Sequence, residues 1–187
     1  MRWYLILFVV LLSNTCFSQE TSVFRKPDEK FGVGIFEPWH LYPSTATTGF
    51  YEFTNDQGDV VGITVRTPID YRRQLLEGIK NGQITKEHLS ASVQDVEANT
   101  NKRRVVFDVV TLSNQKSLFH AYVWPHESMG QVTYHNIWSF AFLFNGKEYL
   151  IECTGKGQST ENAAIDHFKK IWDSDLKRII QTFAVLE

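Results

Sequence analysis

Cysteine is almost absent from this chain: 187 residues contain only Cys16 and Cys153. A secreted domain held by disulfides carries an even set of cysteines at short spacings, so that architecture is excluded. Charge of one sign is also lacking. Nineteen Lys and Arg stand against 21 Asp and Glu, a net charge of −2, and no basic stretch marks a nucleic-acid surface. The apolar run Tyr4 to Leu12 is far short of the roughly 20 residues a membrane-spanning helix needs, so no transmembrane span is expected. There is no internal repeat and no low-complexity tract. None of the six histidines, His40, His88, His120, His126, His135 and His167, has strong metal-ligand spacing to another. His120 and His126 share a strand parity, but Pro125 is expected to interrupt that strand. The sequence therefore names no catalytic residue, no metal and no cofactor.

What is present begins with the N-terminus. Arg2, the apolar run and the small residue Ser18 before a polar start at Gln19 read as a secretory signal over residues 1–18. The expected destination is the periplasm or the exterior. A lipid anchor at Cys16 is the alternative, although Thr15 is a poor match to the small residue that lipoprotein processing wants before the cysteine. Residues 19–30 are polar, contain Pro27, and are expected to form a flexible leader to a single domain over 31–187.

The last quarter organises that domain. Asn145-Gly146 stands between two apolar runs, and Asn-Gly is the strongest short signal for a type I′ hairpin turn. A two-residue loop sets Phe144 opposite Lys147, Phe142 opposite Tyr149, Phe140 opposite Ile151 and Trp138 opposite Cys153, all on one face. The other face pairs Leu143 with Glu148, Ala141 with Leu150 and Ser139 with Glu152, a mixed and partly covered surface. Ala164, Ile165, Phe168, Trp172, Leu176, Ile179, Ile180 and Phe183 then recur at helical spacing.

Upstream, Phe31–Phe36, Gly49–Thr54 and Val60–Arg66 read as strands. Thr67-Pro68 reads as a helix start and Thr85 as a second one. Val93 to Ala98, Arg104 to Leu112 and Leu118 to Trp124 read as β-rich, with Lys102-Arg103-Arg104 as a solvated hairpin tip. Consecutive strands with short turns make an antiparallel sheet, so the fold class is α+β with helices on one or both faces.

Three stretches resemble the PsbP/Mog1-like family: Gly34-Ile35-Phe36-Glu37-Pro38-Trp39, the hairpin from Asn145 to Cys153, and the closing Ile179-Ile180-Gln181-Thr182-Phe183. The resemblance covers roughly residues 31–187. It implies an α-β-α sandwich with a non-catalytic role, binding a partner protein or serving as an accessory subunit. It carries over no functional residue. Cystatin- and NTF2-like folds share the ingredients but usually place their principal helix early.

Two candidate sites follow from the residues. Gly155, Lys156, Gly157, Ser159 and Thr160 run from a strand end into a helix N-terminus, where free N–H groups favour anions. They lack phosphate-loop glycine spacing, and the favoured reading is an ordinary connection whose Ser159 or Thr160 caps the helix. Trp39, Tyr42 and Trp124 fall outside the expected regular structure and are candidates for a partner surface or, equally, for packed plugs at the sheet ends. The leading expectation is an exported binding or accessory protein. The alternative is a small envelope enzyme or anion-binding protein that uses the Gly155–Thr160 loop. Cys153 is expected to be an inert core residue.

Overall fold

The computed structural model describes residues 21–42 and 49–186. The signal segment 1–18 and Cys16 lie outside them. In chain order the elements are β1 (Thr21–Lys26), β2 (Phe31–Phe36), β3 (His40–Leu41), β4 (Phe50–Thr54) and β5 (Val60–Arg66). Three helices follow, α1 (Asp70–Lys80), α2 (Lys86–Ser90) and α3 (Val93–Asn99). Then come β6 (Arg103–Leu112), β7 (Gln115–Ser128), β8 (Gln131–Phe144) and β9 (Lys147–Thr154). The chain closes with α4 (Glu161–Ile171), a π-helical turn (Trp172–Leu176), α5 (Lys177–Thr182) and β10 (Ala184–Val185).

Seven strands form one antiparallel sheet in the order β3-β4-β5-β9-β8-β7-β6, and β1-β2-β10 form a second, small sheet. The Asn145-Gly146 turn has positive φ at both residues, 48° and 74°. It fixes the β8–β9 register as expected, with Trp138 opposite Cys153 and Leu143 opposite Glu148.

Helices α4 and α5 lie across one face. Ala164, Phe168, Ile171, Leu176, Ile179 and Ile180 are buried there against Phe140, Phe142, Tyr149, Ile151 and Cys153. The π turn absorbs Asp173-Ser174-Asp175 without breaking the apolar stripe, so Leu176 stays fully buried. Each large apolar side chain in this layer contributes roughly 1.5–3 kcal/mol by leaving water. The small sheet seals the far end. The Gly34 N–H donates to Thr182 Oγ1 at 2.8 Å, and a Cβ at Gly34 would come within 3.0 Å of that oxygen.

The other face is covered over only part of its width. α1 and α2 bury Leu76, Ile79 and Leu89 against Leu118, Ala141 and Leu143 of β7 and β8. Phe50, Val60, Thr64 and Leu150 of β4, β5 and β9 stay partly exposed on that side.

Several expectations are corrected. Thr21–Lys26 of the presumed leader is an edge strand paired residue for residue with β2. Its Phe24 ring packs 5.2 Å from Phe53 and 5.3 Å from Tyr51. The polar residues around Phe24 are what an edge strand with one wet face carries. Val93–Asn99 is a helix: Val93 and Val96 stand at an i, i+3 step, which shares a helix face but would fall on opposite faces of a strand. Helix α1 begins at Asp70 with Ile69 as N-cap; Thr67 instead accepts a hydrogen bond from Lys147 Nζ at 2.9 Å.

Pro125 does not interrupt β7. It lies beyond the end of β6 with no strand on its outer side, so the ladder loses nothing by its missing N–H.

Candidate functional site

The connection from β9 to α4 is built around a carboxylate supplied by the β4–β5 turn. Asn55 Oδ1 accepts the N–H groups of Gln57 and Asp59, both at 3.0 Å. Its Nδ2 donates to Asp59 Oδ2 at 2.9 Å. Asp59 is fully buried, and its Oδ1 accepts the Lys156 N–H at 2.9 Å and faces His167 Nε2 of α4 at 2.6 Å. One backbone donor of the candidate anion loop, the Lys156 N–H, is thus already taken by Asp59.

The start of α4 is likewise satisfied within the chain. Thr160 Oγ1 accepts the Ala163 N–H at 3.2 Å, the expected cap. Glu161 receives Arg103 at 2.7 Å and Arg104 at 3.0 Å, and these guanidinium groups hold its carboxyl below the ordinary range. Lys102-Arg103-Arg104 is therefore a clamped crossover from α3 into β6, not a solvated hairpin tip. Ser159 and the Lys156 side chain remain exposed.

The two glycines of the loop face β8. The Gly155 carbonyl accepts a hydrogen bond from His135 Nδ1 at 3.1 Å. A Cβ at Gly157 would fall 3.0 Å from His135 Nε2 and 3.0 Å from Thr133 Cβ, so a glycine there gives the imidazole its room. His135 pairs across the ladder with Trp124, and His126 with Thr133. The Trp124 ring centre lies 5.1 Å from that of His126 and 6.1 Å from that of His135.

This corner belongs to a two-stranded ribbon. β6 pairs with β7 only as far as Val123, and β9 with β8 only from Ile137. Residues 124–136 therefore extend past the neighbouring strands, tied back by the Tyr134–Gln158 backbone pair and by Asn101 Nδ2 to the Pro125 carbonyl at 3.1 Å. Trp124, Met129 and Val132 are exposed on it, Met129 completely.

A second polar cluster lies on the half-covered face. Register places His120, Ser139, Glu152, Gly62 and Glu52 in one row across β7, β8, β9, β5 and β4. His120 is stacked between Phe107, 4.5 Å away, and Tyr122, 4.6 Å away. Its Nε2 is buried without a hydrogen-bond partner among the described residues. Burial, then the charges of Lys102 and Arg72, push its pKa down to about 4, so the ring is neutral at pH 7.

Lys102 Nζ sits 4.1 Å above the Tyr122 ring. Burial lowers the Lys102 pKa and raises that of Glu152. Tyr122 is pushed up to about 12 by burial and by the Glu152 charge. At the far side of α1, fully buried Glu148 receives Arg66 at 2.9 Å and Arg72 at 2.7 Å.

Of the three candidate surface aromatics, one is withdrawn. Trp39 is 4% exposed and packed in the main core, because the turn after β2 folds it inward between the two sheets. Tyr42 and Trp124 are 47% and 40% exposed. They lie far apart, Tyr42 beside the edge strand β3 and Trp124 on β7, the sixth strand of the order. Trp124 is inside regular structure, because the expected Leu118 to Trp124 strand runs on to Ser128. Cys153 is fully buried, and burial followed by the Glu152 charge pushes its thiol pKa up. Sequence reasoning missed the Asp59 hub and the closeness of His126 to His135; the register across the Met129-Gly130 turn is the signal that reveals the second.

No protein-family model matches the sequence, and no curated protein does either. Solved structures do match the fold. Cyanobacterial PsbP (CyanoP) of Synechocystis aligns over 92% of this chain and 96% of its own, at 9% identity and a TM-score of 0.50. Mog1p, a Ran-binding protein of Saccharomyces cerevisiae, aligns over 91% of this chain and 97% of its own, at 8% identity and a TM-score of 0.51. The fold is PsbP/Mog1-like. At such identity the likeness is one of architecture, and function has to be argued from the surface. In this PsbP/Mog1-like chain, no helix among the described residues is long and apolar enough to cross a membrane.

Proposed function

We propose that this is an exported accessory protein that acts by presenting a surface to a protein partner, and that the surface is the free end of the β7–β8 ribbon centred on Trp124. One observation carries the reading. Trp124, Met129 and Val132 are held in the open on a ribbon that outruns its neighbouring strands, while comparable side chains such as Trp39 are packed away. Large rigid aromatics are the usual energetic anchors of protein interfaces. A protein ligand is also what Mog1p, named for binding Ran, takes with this fold. A non-enzymatic role accords with the way the best chemical groups are used: Asp59 and the Gly155–Thr160 loop hold each other, and Cys153 is buried as a thiol. Export rests on Arg2, the Tyr4–Leu12 run and Ser18, and intact mass of the mature protein tests it.

The decisive experiment compares Trp124→Ala with the parent in capture of a cross-linked native partner. The substitution is expected to weaken binding by at least ~1 kcal/mol with an unchanged melting temperature. Equal capture by the variant removes the ribbon from the interface. Turnover that is lost on changing Lys156 or one histidine overturns the non-enzymatic reading.

A further inference from the structure

His126 and His135 are nine positions apart in sequence, yet the ribbon brings their ring centres to 6.3 Å at an interplanar angle of 74°. With metal–nitrogen bonds of about 2.0–2.1 Å, two imidazoles that share one ion have ring centres from about 5.2 Å apart in tetrahedral coordination to about 6.4 Å apart when trans, as in a square-planar ion. The observed spacing lies at the upper end of that range, and His126 is exposed.

His135 is already prepared as a ligand. The Gly155 carbonyl can only accept, so Nδ1 carries the proton and Nε2 carries the lone pair. A backbone carbonyl on one ring nitrogen is the usual partner that orients a metal-binding histidine. The Nε2 side is kept clear by Gly157, where any Cβ would crowd it at 3.0 Å. Thr133 Oγ1 stands 3.4 Å from Nε2 and also 3.4 Å from the His126 carbonyl. A hydroxyl has one proton for the two, and at that length neither contact is a strong hydrogen bond.

We infer that His126 and His135 form a cross-strand site for a late first-row divalent cation, with Gly155 and Gly157 serving to orient and clear His135. Two neutral imidazoles suit Cu2+ and Zn2+, and the general affinity order puts Cu2+ ahead. The remaining coordination positions face solvent and take water. The site does not depend on the ribbon docking a partner. It also gives the strand-to-helix loop a role other than holding an anion.

The test titrates purified full-length protein, carrying no affinity tag, with Cu2+ and Zn2+ by calorimetry and by tryptophan fluorescence. Trp124 lies against both histidines, so bound Cu2+ quenches it. His126→Gln and His135→Gln are each expected to weaken Cu2+ binding at least tenfold, and Gly157→Ala by 10- to 100-fold, the range seen when support of a metal ligand is lost. Trp124→Phe should keep the affinity and lose most of the quenching. His40→Gln, at the opposite edge of the sheet, should change neither. Because His126 is exposed, its variant keeps the parent melting temperature and a lost affinity cannot be ascribed to unfolding. One-to-one Cu2+ binding that survives both histidine substitutions overturns the site, as does the absence of saturable binding in the parent.

Discussion

One face of the seven-stranded sheet is closed by hydrocarbon and aromatic rings, and the other is closed over half its width and pinned by charge. On the first, Phe142 stacks on Tyr149 at 5.3 Å and Trp138 meets Phe168 at 5.0 Å and Trp172 at 4.6 Å. Charged ties to these helices, Asp59 to His167 and Arg103 and Arg104 to Glu161, lie at the N-terminal part of α4 and not within the ring layer. On the second, α1 brings few large apolar groups to the sheet, and Arg72 locks it to buried Glu148. Residues adjacent in β9 alternate between the two regimes: Glu148, Leu150 and Glu152 look one way, Tyr149, Ile151 and Cys153 the other. A sheet that buries both faces in apolar contacts has no open groups left over. This one keeps Lys102, His120 and Glu152 in a partly wet layer where each has a displaced pKa.

Removing the anchor from each face sharpens the contrast. Phe168→Ala, in the apolar layer, is expected to cost about 3–5 kcal/mol through lost burial and a cavity. Glu148→Ala should cost a similar 3–5 kcal/mol by a different route, since Arg72 is left without its carboxylate in a half-buried setting. Denaturant unfolding measures both. The two mechanisms separate when Arg66→Ala is tested. Arg66 is 54% exposed at its side chain, so its loss should cost less than about 1 kcal/mol. An Arg66→Ala effect equal to that of Glu148→Ala would mean that the outer face is held by the pair as a whole and not by the α1 lock.

The two faces were unequally legible in the sequence. The aromatic face could be read residue by residue, because Asn-Gly fixes a register and period-2 alternation does the rest. The outer face depends on long-range partners that no local pattern encodes. Glu148 finds Arg66 and Arg72 across 82 and 76 positions. The same holds for the polar tie to α4, where Asp59 finds His167 across 108.

The turns explain the remaining gap. Ser113-Asn114, Met129-Gly130 and Asn145-Gly146 all carry positive φ at both residues, yet only the last has the composition that announces it. With Met129-Gly130 recognised as the same turn, His126 falls opposite Thr133 and Trp124 opposite His135, and the histidine corner follows. The edge strand at Thr21–Lys26 was hidden because its polar residues are what keeps an edge soluble, and they resemble a linker.

A smaller effect distinguishes the faces by pH. His120 is neutral in the folded protein with a pKa of about 4, against about 6.5 in the unfolded chain. Between those values the unfolded chain binds more protons, so stability is full above about pH 6.5 and falls as the pH drops toward 4. The loss should be on the order of 1–3 kcal/mol. His120→Phe keeps a ring between Phe107 and Tyr122 and removes the titration. Urea midpoints measured from pH 7 to 4 should then fall less steeply for the variant than for the parent. Parallel slopes would place the pH dependence in other groups.

The smallest effect comes from two neighbours in β9. Glu152 and Cys153 both have pKa values raised chiefly by burial, but they face opposite sides of the sheet. Glu152 looks onto the partly wet layer beside Lys102. Cys153 is 0% exposed opposite Trp138, where its thiol acts as a small apolar filler. Cys153→Ala should therefore cost about 1–2 kcal/mol, the ordinary size of a minor core truncation, and leave metal and partner binding unchanged. Because the thiolate is the reactive form, alkylation of the native protein should proceed only through opening of the α4–β9 layer. Its rate should rise in step with denaturant as stability falls. Fast alkylation in buffer, unchanged by Phe168→Ala, would show that the aromatic face opens locally at β9 and that the contrast between a sealed and a half-sealed face is weaker than the static packing indicates.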